Sequence, residues 1–341
     1  MLALSALAVV GGCTGQASKP DRTPTSSAAP SPSATTPTTS STTSPTPGVS
    51  HRVSVQSLID TRYDGGALRL GAVIARTDDY TVRRVTYRGG GLRLSGVMNV
   101  PRGRGPFPVV VLNHGYIEPS IYLTGQGMRR ERDYLAREGY VVLHIDYRGH
   151  AQSDPDPKID MEFRLPYSED AINAVLAIRR SSLPFLDADR VGFFGRSMGG
   201  AVTYNALIAK PGLVRAAVVY APTSSRALDN FRQFNLRNPD RTALNRKILR
   251  TYGSPRENPS FWDGISSRPR FDRITEPLMI QHGGADESCP IAWSRTTVRA
   301  LRRAGKDVEV FTYAGEPHAF GPAWPQSMRR TTRFLDAHVR G

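Results

Sequence analysis

Short, continuous runs of apolar residues recur along the chain from residue 109 onward and alternate with stretches of helical periodicity. A continuous apolar run of about four to eight residues is typical of a strand buried on both faces. Such strands are expected at VVVL 109–112, VVLHID 141–146, RVGFFG 190–195, AAVVY 216–220 and LMIQ 278–281, with a further strand, VEVFTY, at 308–313. Helices are expected at 129–138, 167–180, 199–209, 291–303 and 326–339. The alternation predicts an α/β fold, with a mostly parallel central sheet and helices on both faces.

Two segments depart from this rhythm. Residues 80–88 and 92–100 alternate apolar and polar side chains around three consecutive glycines, which predicts an antiparallel hairpin at one edge of the sheet. Residues 222–273 are polar, interrupted by prolines and partly helical. They are interpreted as a small insertion or cap over the carboxyl edge of the sheet, where ligands bind in open α/β folds. Its aromatic residues are candidates to line a pocket: Phe231, Phe234, Phe261 and Trp262, with packing on the sheet as the alternative for Trp262.

Composition excludes several classes of protein. Hydrophobic residues make up 39% of the 341 residues, enough for a substantial core, and no apolar run reaches the roughly 18 residues that a membrane-spanning helix needs. The two cysteines, Cys13 and Cys289, exclude a disulfide-stapled scaffold and a four-cysteine zinc site. The net charge of +15 comes from scattered arginines rather than from clusters with interleaved aromatics, so nucleic-acid binding is not expected. The charge is interpreted either as a solvated basic surface or as attraction to an anionic polymer of the cell envelope, such as a wall polymer, or to a lipid surface.

The first fifty residues differ from the rest. Residues 2–10 form an apolar run too short to cross a bilayer, and it leads into Val10-Gly11-Gly12-Cys13. This pattern resembles the lipobox of bacterial lipoproteins and predicts a signal peptide over residues 1–13, with a lipid on Cys13. The protein would then be extracytoplasmic and membrane-anchored, with plain secretion as the alternative. Residues 14–50, mostly Ser, Thr, Pro and Ala, are predicted to be a disordered linker.

The segment Gly195-Arg196-Ser197-Met198-Gly199 has the pattern G-x-S-x-G. The pattern alone is weak, but here it directly follows a predicted buried strand and opens a predicted helix. A strand-to-helix turn of this kind presents a serine hydroxyl at the upper edge of the sheet, next to a helix N-terminus that favours negative charge. Ser197 is therefore the predicted nucleophile.

A serine nucleophile needs a base and an acid that orients the base. In this arrangement they follow the serine in the order acid, then histidine. Asp286 follows the strand 278–281, and His318 follows the strand 308–313, so both are expected at the same edge as Ser197. Glu287 is the alternative acid, and Asp272 is less suitable because it precedes its strand. The remaining candidates for the base are His144 within a strand, His338 in the final helix, and His282, interpreted as structural.

A tetrahedral intermediate also needs hydrogen-bond donors for its oxyanion. The backbone N–H of Met198, directly after the nucleophile, is the first expected donor. The second is expected from the loop Asn113-His114-Gly115-Tyr116, through either the N–H or the hydroxyl of Tyr116. Tyr116 could instead line the pocket wall, while Asn113 and His114 are expected to shape the loop.

These motifs resemble a known family. NHGY at 113–116, DYRGH at 146–150, GRSMGG at 195–200, HGGADESCP at 282–290 and GEPHAF at 315–320 are similar to the catalytic domain of prolyl-oligopeptidase-type serine hydrolases, within the α/β-hydrolase superfamily. The resemblance implies a catalytic domain over residues 81–341, preceded by an N-terminal extension over 51–80. It implies the triad Ser197, Asp286 and His318, the oxyanion donors Tyr116 and Met198, and neither cofactor nor metal.

The resemblance also has departures. Prolyl oligopeptidases usually carry an N-terminal propeller, and the roughly thirty residues of 51–80 cannot hold one. Dipeptidyl specificity is therefore not implied, and peptidase, aminoacyl-esterase and carboxylesterase activity on a small peptide or ester substrate stay open. Cys289 stands where the family often has valine, and it is expected to be a small buried hydrophobe. A non-catalytic wall-binding protein and a metal hydrolase are weaker alternatives, the second because no H-E-x-x-H spacing is present.

Overall fold

The structure is a computed structural model that describes residues 51–341. Within these residues the predicted strands pair into one mixed sheet. Across these residues the nine strands lie in the order β1-β2-β3-β5-β4-β6-β7-β8-β9. They are β1 Gly66–Arg76, β2 Tyr80–Gly89, β3 Leu92–Pro101, β4 Phe107–Asn113, β5 Val141–Ile145, β6 Leu186–Arg196, β7 Ala216–Tyr220, β8 Leu278–Gly283 and β9 Val308–Tyr313. Pairing is antiparallel from β1 to β5 through β2 and β3, and parallel from β5 through β4 to β9.

Helices cover both faces of this sheet. They are α1 Val55–Asp60, α2 Arg129–Arg137, α3 Pro166–Arg179, α4 Met198–Ala209, α5 Ala227–Asn230, α6 Thr242–Tyr252, α7 Pro259–Gly264, α8 Ile291–Arg303 and α9 Trp324–Leu335. Short 3-10 turns lie at Pro119–Ile121, Pro239–Arg241 and Arg268–Arg273, and π turns lie at Phe231–Leu236 and Asp336–Arg340. The predicted α/β architecture, a mostly parallel central sheet with helices on both faces, is confirmed.

The continuous apolar runs follow from burial on both faces. Val109 and Val111 of β4 belong to the core that contains α1, α3, α4 and α8, whereas Val110 and Leu112 belong to the core that contains α2 and α9. Because successive side chains of a strand point to opposite faces, each face needs its own apolar residue, and no polar position remains.

The antiparallel hairpin at the sheet edge is also confirmed, since β2 and β3 pair without a register shift across the predicted turn. The sheet extends one strand further than the sequence pattern indicates. Within the N-terminal extension, α1 packs on the core and β1 pairs with β2. Strand β1 is an edge strand with mostly exposed or half-exposed side chains, so it lacks the apolar run that marks the inner strands.

The interruption at 222–273 lies between β7 and β8 and contains α5, α6 and α7. Its side chains Phe231, Phe261 and Trp262 are buried and join the same core as α3 and α4. None of the helices within residues 51–341 is long and apolar enough to cross a bilayer. The predicted signal peptide, Cys13 and the linker at 14–50 lie outside the described residues.

A buried ion pair fixes the loop after β5 to α3. The Arg148 guanidinium donates to Asp170 from Nε at 3.0 Å and from Nη2 at 2.8 Å, and it also contacts Glu169 at 2.9 Å. The Asp170 side chain is fully buried. Burial raises the pKa of Asp170, and the Arg148 charge opposes that rise. Tyr147, the residue before Arg148, donates its hydroxyl to the carbonyl of His114 at 3.1 Å. Because the ion pair fixes the segment that carries Tyr147, it also supports the loop after β4.

We expect Arg148→Met to lower the free energy of unfolding by about 3–5 kcal/mol, because the Asp170 carboxylate would remain buried without its partner. The matched control is Arg137→Met, which removes an exposed arginine that contacts Asp133 at 3.1 Å. Surface ion pairs contribute little, so this control should unfold like the wild type. Urea unfolding of the full chain measures both. Equal stability of the two variants would contradict the structural role of Arg148.

Candidate active site

Ser197 sits at a strained turn between β6 and α4. Its φ of 55° and ψ of −120° lie in a region that residues other than glycine rarely adopt. Backbone hydrogen bonds hold this conformation: the Ser197 N–H donates to Tyr220 at 3.0 Å, and its carbonyl accepts from Gly200 at 2.9 Å and Thr223 at 3.1 Å. The turn places the half-buried Ser197 side chain at the carboxyl edge of the sheet, as predicted for a nucleophile.

The glycines of the G-x-S-x-G pattern are required by the close approach of backbone segments. A Cβ at position 195 would lie 2.3 Å from the carbonyl oxygen of Gly199, and a Cβ at 199 would lie 1.8 Å from the carbonyl oxygen of Asn113. A Cβ at Gly115 would lie 3.1 Å from Cβ of Ser197. The loop after β4 therefore packs directly against the nucleophile turn.

Asp286 and His318 meet as the sequence predicts. His318 Nδ1 lies 2.8 Å from Asp286 Oδ2, on the loops that follow β8 and β9. The other carboxylate oxygen, Oδ1, accepts the backbone N–H groups of Ser288 at 2.9 Å and Cys289 at 2.7 Å. The Asp286 side chain has no exposed surface, whereas 16% of the His318 side chain is exposed. A buried acid that binds Nδ1 leaves Nε2 of the ring as the atom that exchanges protons.

The environment of Asp286 keeps its carboxylate ionised. Burial alone would raise the pKa, but hydrogen bonds from His282 and His318 and from the Cys289 N–H outweigh it and hold the pKa of Asp286 well below its usual range. Since the folded-state pKa is lowered, the stability that this group contributes is present above its unfolded pKa and is lost only as the pH falls through the folded value.

His282, interpreted from sequence as structural, is a second imidazole on the same carboxylate. Its Nε2 lies 3.1 Å from Asp286 Oδ2 and 2.8 Å from the carbonyl oxygen of Cys289, so one N–H is shared between two acceptors. Its Nδ1 lies 2.7 Å from the Ser294 hydroxyl oxygen. This contact could have been predicted from the sequence, because His282 and Asp286 are four residues apart in the turn that follows β8.

The thiol of Cys289 lies close enough to the Ser197 hydroxyl to interact with it. Cys289 is fully buried and unpaired by any disulfide, as expected for a small hydrophobe, but it also contacts the nucleophile. Burial raises the pKa of the Cys289 thiol, and the hydrogen bond with Ser197 opposes the rise. Within residues 51–341 no hydrogen bond joins Ser197 to His318. Catalytic hydrogen bonds often tighten only when substrate is bound.

The hydroxyl of Tyr116 is engaged away from the nucleophile turn. It donates to Glu118 Oε2 at 2.5 Å and accepts from Arg241 Nη2 at 3.0 Å. The backbone N–H of Tyr116 directly follows Gly115, the residue in contact with Ser197. The arrangement thus favours the N–H over the hydroxyl as the Tyr116 donor, beside the N–H of Met198 at the start of α4.

The other candidates lie apart from this chemistry. Glu287 accepts the backbone N–H of His318 at 3.1 Å rather than its ring. Asp272 lies in the 3-10 turn before β8, and His338 packs on Phe334. His144 is buried within β5. No group of three His, Cys, Asp or Glu residues in the described part of the chain is placed to hold a metal ion.

Asn113 and His114 shape the loop as expected. The Asn113 amide donates to the Thr203 hydroxyl at 2.9 Å, which links the loop to α4. The His114 ring is stacked on Tyr122, with ring centroids 4.8 Å apart. Both side chains are fully buried.

A cavity of about 650 Å³ opens beside Ser197 and Met198. Of the four aromatic candidates in the cap, Phe231 and Phe234 line it. Trp262 and Phe261 are buried behind it, so the packing alternative holds for Trp262.

We expect His282→Leu to slow the reaction of Ser197 with a fluorophosphonate about tenfold, because the Asp286 carboxylate would lose a hydrogen-bond donor. Losing that donor should also raise the pKa of Asp286, so the acid-unfolding profile of the variant should move to higher pH. The control is His338→Leu, which removes a histidine distant from the carboxylate. A His282→Leu profile that superimposes on the wild type would contradict this role.

Comparison with known proteins agrees with this geometry. Residues 127–341 match the prolyl oligopeptidase family. The chain is 25% identical over 252 residues to the uncharacterized peptidase YtmA of Bacillus subtilis (strain 168), covering 74% of this chain and 90% of that protein. It is also 25% identical over 241 residues to human dipeptidyl peptidase 8, where the match covers 67% of this chain but only 25% of the relative.

Solved structures share the fold. The acetyl xylan esterase from Paenibacillus sp. R4 is similar with a TM-score of 0.63 and 19% identity, covering 84% of this chain and 92% of the esterase. The acylaminoacyl peptidase of Pyrococcus horikoshii is similar with a TM-score of 0.62 and 20% identity, covering 77% of this chain and 42% of the peptidase. With the family match over more than half of its length, the chain belongs to the prolyl oligopeptidase family and is a serine hydrolase.

Proposed function

We propose that this protein cleaves acyl bonds through a covalent acyl-Ser197 intermediate, as a serine-type peptidase acting on small peptide substrates. The observation that carries the proposal is the 2.8 Å contact between His318 Nδ1 and the buried Asp286 carboxylate, on the same sheet edge as the strained Ser197 turn. A buried, ionised acid on an imidazole that keeps some exposed surface is the arrangement that lets histidine act as a general base toward a serine.

In the first half of the reaction, the Ser197 oxygen attacks the carbonyl carbon of the substrate while His318 takes the hydroxyl proton. The C–O bond forms as the carbonyl electrons move onto oxygen, and the N–H groups of Met198 and Tyr116 stabilise the negative charge. The ionised Asp286 stabilises the protonated imidazole. Collapse of the intermediate breaks the bond to the leaving group, which receives the proton from His318.

In the second half, water replaces the serine as the nucleophile. His318 takes a proton from the water as its oxygen attacks the acyl carbon, and the same two N–H groups bind the second oxyanion. The proton then returns to the Ser197 oxygen as the acid product leaves. For the first half to proceed, the Ser197 hydroxyl must come within hydrogen-bonding reach of His318.

A carboxylesterase is the second candidate. It is supported by the extent of the structural likeness, which covers 92% of the acetyl xylan esterase but 42% of the acylaminoacyl peptidase. The peptidase is favoured because the matching family and the relative covered over 90% of its length are both described as peptidases.

The test of the shared chemistry is labelling of the full chain with a fluorophosphonate probe. Wild type should label, and Ser197→Ala should not, since the probe bonds to an activated serine oxygen. Ser288→Ala is the matched control, because its backbone N–H still binds Asp286 and the variant loses only a neighbouring hydroxyl. Labelling of Ser197→Ala, or no labelling of folded wild type, would refute the proposal.

Hydrolysis of peptidyl amides decides between the two candidates. Peptidases also cleave activated esters, so turnover of 4-nitrophenyl esters is expected in either case. Turnover of a peptidyl 4-nitroanilide that disappears in Ser197→Ala supports the peptidase. Ester turnover without amide turnover supports the carboxylesterase.

We also propose that the enzyme is extracytoplasmic and anchored to the membrane by a lipid on Cys13, supported by the small residues before that cysteine and the Ser/Thr/Pro-rich stretch after it. Cys13→Ser should move the protein from the membrane fraction to the soluble fraction, as measured by immunoblot of fractionated cells. Retention of this variant at the membrane would contradict the lipid anchor, and would point to the basic surface and an anionic wall polymer if high salt releases it.

A further inference from the structure

One wall of the cavity beside Ser197 is built from buried polar side chains whose hydrogen bonds are mostly closed within the protein. Ser224 donates to Asp229 at 2.7 Å, and Ser266 donates to the carbonyl of Trp262 at 2.7 Å. Ser225 pairs with Thr297 at 2.8 Å. These hydroxyls have hydrogen-bond partners within the protein, so they shape the cavity without being available to bind a substrate.

Two polar groups of the described chain are exceptions: the hydroxyl of Thr223, next to the Ser197 turn, and the side chain of Asn205. Asn205 lines the cavity from α4 and is 6% exposed. The Ser267 hydroxyl donates to its Oδ1 at 2.8 Å, which fixes the amide with its oxygen occupied. Within residues 51–341, the Nδ2 group has no hydrogen-bond partner. Because Asn205 lines the cavity and its Oδ1 is already occupied, its NH₂ group is free to donate to water or to a substrate acceptor in the cavity.

The position of Asn205 determines how far from Ser197 an acceptor on the substrate must lie. Asn205 is eight residues beyond Ser197 along α4, which is about 12 Å along the helix axis. A helical side chain leans toward the N-terminus of its helix, so the amide lies closer, roughly 8 Å from the nucleophile turn. Apolar side chains, among them Phe163, Phe231 and Leu244, line the same cavity. An elongated acyl group with an apolar middle and a polar end fits this lining.

We propose that Asn205 is a specificity-determining residue: its NH₂ group binds a carbonyl oxygen at the far end of the substrate's acyl group, as in an aminoacyl group whose side chain ends in an amide or ketone. This inference rests on the proposed acyl-enzyme chemistry at Ser197. It concerns the acyl side of the scissile bond and is independent of whether the leaving group is an amine or an alcohol.

The test uses thiobenzyl esters of three N-acetylated amino acids with side chains of nearly equal shape. Glutamine carries both donor and acceptor, a side chain ending in a methyl ketone carries only an acceptor, and homoleucine carries neither. Wild type should hydrolyse the ketone and glutamine esters with a kcat/KM about tenfold above that of homoleucine, because a site with a buried donor discriminates against an analogue without an acceptor. Rates are expressed per fluorophosphonate-reactive site, which removes unfolded protein from the comparison.

Three variants locate the preference. Asn205→Leu should lose it or favour homoleucine, and Asn205→Asp, which replaces the donor by an acceptor, should lose the ketone substrate while keeping glutamine. Thr223→Val is the matched control, because Thr223 is a buried residue of the same cavity whose hydroxyl has no partner in the described part of the chain. It should retain the wild-type preference.

The outcomes separate this inference from the proposed function. Wild type that labels with fluorophosphonate but shows equal kcat/KM for all three esters overturns the Asn205 assignment alone. A preference abolished by Thr223→Val and kept by Asn205→Leu also overturns it. Failure of wild type to label refutes the acyl-enzyme chemistry itself.

Discussion

The contact between two backbone segments at Ser197 is the constraint on which the rest of the site depends. The carbonyl of Asn113 lies where a side chain at position 199 would begin, 1.8 Å from the Cβ that an alanine would carry. Only glycine permits α4 to start this close to the end of β4. The approach places Gly115 against Ser197, so the same sterics hold the nucleophile and position the loop that carries Tyr116.

The second constraint is electrostatic. A carboxylate without exposed surface would normally take up a proton, but Asp286 accepts two backbone N–H groups and contacts two imidazoles, His318 and His282. These donors hold the pKa low, so the charge that orients His318 persists in a buried position. The orientation of the base therefore depends on the whole turn from His282 to Cys289 rather than on a single pair.

The sequence predicted the inner strands and the chemistry at their ends because both depend on local pattern. A strand buried on both faces must be continuously apolar, and residues that follow parallel strands must share one edge. Strand β1 was not predicted, because an edge strand with exposed side chains does not need a continuous apolar sequence. Three side-chain contacts could not be predicted from the sequence, because each depends on positions that only the folded structure brings together. They are the Cys289–Ser197 contact, the second imidazole on Asp286 and the contacts of the Tyr116 hydroxyl.

The same distinction explains why the reaction class could be predicted and the substrate could not. The groups that attack and stabilise lie at strand ends and on the first turn of α4, where backbone geometry leaves few alternatives. The cavity wall combines the cap at 222–273 with the inner part of α4, and most of its hydroxyls are used to hold the cap itself. A polar side chain of this wall can hydrogen-bond a ligand only if one of its atoms has no partner within the protein. The spacing of residues along the chain does not show which atoms are left without a partner. Specificity in such a site is therefore set by the hydrogen bonds that the cap does not complete.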